Sequence, residues 1–199
     1  MKSSAIIEEA IKLGKNHNFE LDHALHVSKF ALRLFDEFQP LHRMGNSERI
    51  WLRIASLLHD VGKSADGIRH NKASRDIIIK EADLPFKKRI RKMIGLIARY
   101  HRGELPENTH KYYGLLDDES RQCICKLAAL LRLADAIDAD HTQMVNSVSC
   151  EIRNDRVILY ILSRDGTNLK KVSRKADLFE MVYDKKVEVR TVIESRLRN

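Results

Sequence analysis

Apolar residues recur at helical spacing along most of this chain. Over residues 4–15 and 21–38 they fall three or four apart, and Val27, Phe30, Leu34 and Phe38 share one stripe, so two amphipathic helices are predicted. Pro40 and Gly45 mark a loop after the second. Ser47 is placed to cap a third helix, whose stripe Trp51, Ile54, Ala55 and Leu58 runs straight into His59 and Asp60, with Gly62 as its stop. Further helices are predicted over 72–82, 86–100 and 119–138. The polar stretch 103–118, which holds Pro106 and Gly114, reads as a long loop.

The period changes near Val145. Val148, Cys150 and Ile152 alternate with polar residues, Asn154 and Asp155 interrupt, and 157–162 resumes as a β-rich run, which together predict a hairpin. A short helix over 174–183 and a third strand through Val187, Val189 and Thr191 complete the pattern before an Arg-rich end. The expected fold class is mainly α, with a helical bundle over 1–142 and a small α+β C-terminal subdomain over 143–199 packed on it. A tail of that size buries too little surface to stand as an independent unit.

Composition narrows this. The chain has 199 residues, 43% hydrophobic and 32% charged, a globular balance that needs neither disulfides nor a structural metal to stay folded. Apolar runs such as 157–162 fall far short of the ~18 residues that span a bilayer. Glu8 and Glu9 stand where a signal peptide needs an apolar stretch, so a soluble, cytoplasmic protein with no membrane partner is expected. Cys123, Cys125 and Cys150 fit neither a disulfide framework nor a zinc knuckle and read as buried thiols. Lys and Arg number 36 against 28 Asp and Glu, a net charge of +8, and the excess is clustered. Lys87, Lys88, Arg89, Arg91 and Lys92 form one run; Lys170, Lys171, Arg174 and Lys175 form another. These runs suit an anionic partner or are solvated helix faces. With only 6% aromatics and no stacking motif, the chain is not expected to bind nucleic acid.

Position singles out a few of the nine histidines. His23 lies four, seven and eleven residues before Val27, Phe30 and Leu34, which turns its imidazole toward the core, and His26 lies close to the same stripe. Adjacent helical residues diverge by about 100°, so His59 and Asp60 can grip one ion only beside the helix end, where Gly62 lets the backbone turn away. Asp135 and Asp138 follow Leu131 by four and seven residues, on the apolar face with Ile124, Leu127 and Ala128. Burying an unpaired carboxylate is costly, so each demands a partner: a metal ion, or an arginine such as Arg132 or Arg99. His110 and His141 have no spacing argument and receive no role.

His23, the pair His59 and Asp60 in LLHDVGK, and Asp135 in LLRLADAID together resemble the HD superfamily of metal-dependent phosphohydrolases. The strings HALHVSKFALRLFDEF, IASLLHDVGK, HNKASRDIII, IGLIARYHRGELP, LAALLRLADAIDADH and KADLFEMVYDKKVEV run in order from about His23 to Val189. They resemble the C-terminal HD-type region of the exopolyphosphatase and guanosine pentaphosphate phosphatase (Ppx/GppA) family. Full-length members carry an N-terminal pair of actin-like domains that bind and hydrolyse polyphosphate. No stretch of this sequence matches those domains, so any chemistry is expected at the HD site.

The resemblance implies an HD-domain helical bundle in which His23, His59, Asp60 and Asp135 hold a first divalent ion. His70 and His101 match positions that hold a second ion while Asp60 bridges the two. Mn, Fe, Ni, Zn and Mg suit such mixed donors to different degrees. The implied activity is hydrolysis of a phosphoester or phosphoanhydride in a small anionic substrate, a nucleotide or polyphosphate, with Asp60 and Lys63 as the catalytic residues. Lys63 is the nearest substrate-binding cation, followed by Lys72, Arg99 and Arg102. Asp138 either orients a ligand histidine or makes a structural ion pair. The alternative function is a non-catalytic module that binds polyphosphate or a partner protein. A homodimer is compatible with either.

Overall fold

The predicted stripe of the second helix is where the core forms. In the computed structural model, which describes residues 3–81, 84–164 and 169–193, α2 (Leu21–Glu37) buries Val27, Phe30, Ala31, Leu34 and Phe35. It packs on α4 (Asn46–Leu58) and α7 (Asp118–Ile137). Helix α7 is buried continuously from Leu127 to Ile137, the signature of a helix surrounded on all sides. Helix α6 (Lys88–Arg99) packs on it and on α4, with α5 (His70–Lys80) behind α6 and α1 (Ser3–Asn16) on α4. Each fully buried Leu, Ile or Phe in this core contributes about 1.5–3 kcal/mol. No helix among the described residues is long and apolar enough to cross a membrane.

The chain then makes β1 (Val145–Ile152), β2 (Arg156–Ser163), α8 (Lys170–Arg174), α9 (Asp177–Tyr183) and β3 (Lys186–Ile193). β1 and β2 form the predicted antiparallel hairpin, with Cys150 opposite Leu159. The third strand returns on the far side of β2 and runs parallel to it, with Val157 opposite Val187. Helix α2 lies along the outer edge of β1 and bonds its backbone. His26 Nε2, Lys29 Nζ and Arg33 Nε donate to the carbonyls of Val145, Asn146 and Val148 at 2.9, 2.8 and 3.3 Å. The Cys150 N–H donates to Glu37 Oε2 at 3.2 Å.

Several local expectations change. Ser47 is not the cap of α4: Gly45 is, and the Glu48 carboxylate accepts from its N–H at 2.9 Å. Pro40 opens a short helix, α3 (Gln39–His42), where its missing N–H costs nothing, rather than sitting in a loop. The helix expected over 72–82 starts earlier, at His70, and Ala82 lies outside the described residues, as does the Arg-rich end. The helix expected over 86–100 begins at Lys88. The helix expected over 174–183 is α9, which starts only at Asp177 because the chain turns at Lys175 and Ala176, and the short α8 that ends at Arg174 is unexpected. The cysteines are half-buried and free: Cys123 and Cys125 flank the buried stripe of α7, and burial pushes the Cys123 thiol up to about 12. In the first basic run Lys87, Lys88 and Arg89 are exposed, whereas Lys92 sits over the Tyr112 ring at 5.6 Å.

His42, at the end of α3, is buried with both ring nitrogens committed: Nε2 donates to Phe35 O at 2.8 Å and Nδ1 accepts the Met44 N–H at 2.9 Å. Burial, with a smaller contribution from Lys126, holds its pKa below the ordinary 6.5 despite the Phe35 bond. Near and below that value the unfolded chain binds the proton more readily, so this contribution to stability is complete at higher pH and is lost on acidification. An NMR titration is expected to place the His42 midpoint below 6.5. A midpoint above it would contradict the two-bond arrangement.

Candidate metal centre

Helix α4 ends at His59, and the next residues coil into a tight turn in which the Lys63 N–H donates to Asp60 O at 2.9 Å. Gly62 matters here by close approach. A Cβ at that position would lie 2.5 Å from Ser74 N and 2.6 Å from His70 O, so only glycine lets the start of α5 rest on the turn. The Gly62 N–H donates to Ser74 Oγ at 2.9 Å. This contact brings His70 to Asp60, with Nε2 3.2 Å from Oδ1. His101, just past the end of α6, brings its Nε2 to 3.4 Å from the same oxygen. His23 enters from the first turn of α2, and Asp135 from the last turn of α7.

The histidines are oriented alike. Nδ1 of His59, His70 and His101 lies 2.7, 3.0 and 2.7 Å from the carbonyl three residues earlier, and His23 Nδ1 lies 2.8 Å from Asp138 Oδ2. A carbonyl only accepts, so the three Nδ1 atoms carry the proton and each Nε2 presents a lone pair to the centre. His23 Nε2 and His59 Nε2 are buried and have no hydrogen-bond partner. They stand 3.6 and 3.5 Å from Asp135 Oδ1, and His59 Nε2 is 3.6 Å from Asp60 Oδ2. Donors bound to one ion at about 2.0–2.2 Å are separated from each other by roughly 3.0–3.5 Å. The spacings are long for hydrogen bonds and right for ligands of a shared cation. The orphaned nitrogens therefore fit a divalent ion.

The electrostatics agree with that. Burial would push the carboxyls of Asp60 and Asp135 up, but their surroundings hold both well below the usual carboxylate range. His59, His70 and His101 do this for Asp60; His23, His59 and Lys175 do it for Asp135. Burial also opposes charge on His23, and the Asp135 and Asp138 carboxylates override it, raising that imidazole to about 9, so a proton takes the cation's place on Nε2 and metal binding has to displace it. His101, walled in and next to His59, is pushed down to about 3. Asp138 orients His23, takes the Gln143 N–H at 2.9 Å and lies 3.5 Å from His26.

The residues singled out by sequence thus separate into two groups. His23, His59, Asp60, His70, His101 and Asp135 converge, and Asp138 supports them. A cleft of about 120 Å³ opens over the cluster, and Lys63 and Arg102 line it, with Lys63 Nζ 2.9 Å from Asp60 Oδ2 and an Arg102 Nη 3.2 Å from His70 Nε2. Lys72 and Arg99 do not line it; both reach toward Glu104, at 3.5 and 3.3 Å, and Arg99 is buried against Tyr100. Arg132 is not the partner of either buried carboxylate, since it binds Gly103 O and Asp177. His110 meets the Tyr100 hydroxyl at 3.0 Å.

Two site residues escaped the sequence reading. Lys175, from the turn after α8, pairs with Asp135 Oδ2, and its signal was only its place in a basic run. His141 stacks on His23 with ring centroids 3.6 Å apart and planes 8° from parallel. Both line the cleft.

A family model described as Ppx/GppA phosphatase, domain III, covers residues 7–180, a span that includes every residue of the cluster. No curated protein matches the chain. A match extending from α1 into α9 takes in the helical body together with the α8 segment that reaches back to Asp135, and on that basis the chain belongs to the Ppx/GppA phosphatase domain III family.

Proposed function

We propose that this protein is a divalent-metal-dependent phosphohydrolase of the HD type, acting in the cytoplasm on a phosphoester or phosphoanhydride of a small anionic substrate, a nucleotide or a polyphosphate. The observation that carries this reading is the pair of buried, partnerless Nε2 atoms on His23 and His59, aimed at the carboxylates of Asp60 and Asp135. His23, His59, Asp60 and Asp135 would hold one ion, and His70 and His101 a second that shares Asp60. When bound, such ions activate water at neutral pH and neutralise charge on a phosphoryl group.

The chain's own residues do the rest. Lys63, Arg102 and Lys175 put three cations around the cleft, positioned to hold phosphate oxygens. Asp138 fixes the His23 ring, and the backbone carbonyls behind His59, His70 and His101 fix the other three. A cleft this small admits a phosphoryl group and leaves the remainder of the substrate outside.

Phosphate release is the test. With nucleotides, guanosine polyphosphates and inorganic polyphosphate screened against Mn, Fe, Ni, Zn and Mg, turnover is expected with at least one pairing, abolished by a chelator and restored by the ion. Protein that takes up metal yet releases no phosphate from any of them would favour the second reading, a module that binds polyphosphate or a partner through its basic surface.

A further inference from the structure

His141 adds a fifth imidazole to the four already described around this centre. His141 lies in the turn after α7 with a left-handed backbone, φ 56°, uncommon for a residue with a side chain. The turn is fastened from three directions. Asp138 accepts from Gln143 N and Nε2 at 2.9 and 3.3 Å, Gln143 Nε2 donates to His141 O at 2.7 Å, and Lys171 Nζ donates to Ala139 O at 3.3 Å. An uncommon conformation secured by this many bonds fixes where the ring points.

The ring is oriented as a ligand would be. His141 Nδ1 is bonded to the Glu20 carboxylate, which only accepts, so Nδ1 carries the proton and Nε2 is left with its lone pair. Glu20 thus stands to His141 as Asp138 stands to His23: a carboxylate behind an imidazole, the arrangement that raises ligand basicity and sets tautomer. Glu20 is itself held by Lys63 at 3.4 Å. One donor atom each from His23, Asp60 and His141 lie within 4.8 Å of one another.

We propose that His141 is a further metal ligand of this centre, with Glu20 as its positioning residue, an assignment that rests on the metal-dependent reading above. The consequence is chemical. Imidazoles from His23, His59, His70, His101 and His141 against the carboxylates of Asp60 and Asp135 make a nitrogen-rich donor set. Such a set prefers transition ions such as Mn, Fe, Co, Ni or Zn and disfavours Mg, which seeks oxygen ligands and keeps its water.

Cobalt(II) reports the donor set through its visible absorption, independently of turnover. Titration of the full chain with Co²⁺ is expected to give a saturable band. In His141→Phe, which keeps an aromatic ring against His23 and removes the nitrogen, the band should shift and the affinity fall at least about tenfold, the lower bound for losing even an outer partner of a ligand. Glu20→Gln should lower affinity in the same direction by less. Because the Phe variant has to tolerate a left-handed backbone, the wild-type protein provides a second readout: ¹⁵N NMR of the Zn²⁺-loaded chain should show His141 Nε2 moved by the metal. An unmoved nitrogen, or a Phe variant that matches the wild type in band and affinity, overturns the assignment of His141 alone. A wild-type chain that takes up neither ion overturns the metal-dependent reading and this one with it. Uptake of Mg²⁺ as tight as that of Mn²⁺ would also count against the nitrogen-rich site.

Discussion

Asp60→Asn is expected to cut phosphate release by at least about 100-fold and to remove metal uptake at the second position, while leaving the helical body folded. The size follows from where the carboxylate stands. Oδ1 faces His70 and His101 at 3.2 and 3.4 Å, and Oδ2 faces His59 at 3.6 Å and Lys63 at 2.9 Å, so one side chain serves both halves of the cluster. Losing a mere outer partner of a ligand costs 10- to 100-fold in affinity or activity, and a shared ligand cannot cost less. Asparagine keeps the shape and one acceptor but loses the charge that balances three imidazoles and an ammonium. Metal analysis, phosphate release and circular dichroism on the same preparation decide it. Full turnover in a folded Asp60→Asn protein would place the chemistry elsewhere.

Gly62→Ala is expected to lower stability by about 1–3 kcal/mol, the usual cost of forcing a methyl group into a filled site. At this chain length that is a fall in Tm of about 2–4 °C for each kcal/mol. The atoms it meets, Ser74 N and His70 O, are backbone, so relief requires α5 to back away from the turn. His70 moves with it, and the ion held by His70 and His101 should weaken more than the one held by His23, His59 and Asp135. Gly67→Ala is the control in the same segment: a Cβ there meets nothing within 4 Å, and the change should stay within about 0.5 kcal/mol. Equal melting curves for the two variants would mean that the contact at Gly62 does not hold α5 in place.

The contrast between Gly62 as a helix stop and Gly62 as a contact point shows where sequence reasoning reaches and where it ends. Periodicity located α2, α4 and α7 because their apolar faces are buried, and it therefore located His23, His59 and Asp135, which lie on or at the end of those faces. His70 and His101 needed the family resemblance, since each sits at a helix terminus where no stripe runs. Lys72 and Arg99 do not line the cleft, for a local geometric reason. Lys72 is two residues past His70 on α5, where two residues turn the side chain by about 200°, and Arg99 ends α6 packed on Tyr100 before the chain turns to bring in His101. His141 and Lys175 were illegible because turns have no period, and their partners His23 and Asp135 are distant along the chain. The division of the chain at residue 142 obscured Lys175 in particular, since it reaches from the C-terminal segment into the helical body.

The bonds from His26, Lys29, Arg33 and Glu37 to the outer backbone of β1 have an effect on self-association. A sheet with two open edges can recruit strands indefinitely and grow into a filament. This one has its β1 margin occupied by side chains of α2, and among the described residues β3 is the other margin, with its Val187 N–H already donated to Glu180 Oε1 at 3.1 Å and the backbone beyond it the place for an added strand. Two molecules meeting β3 to β3 would consume that margin in both, so recruitment by strand addition is self-terminating at a closed two-fold pair.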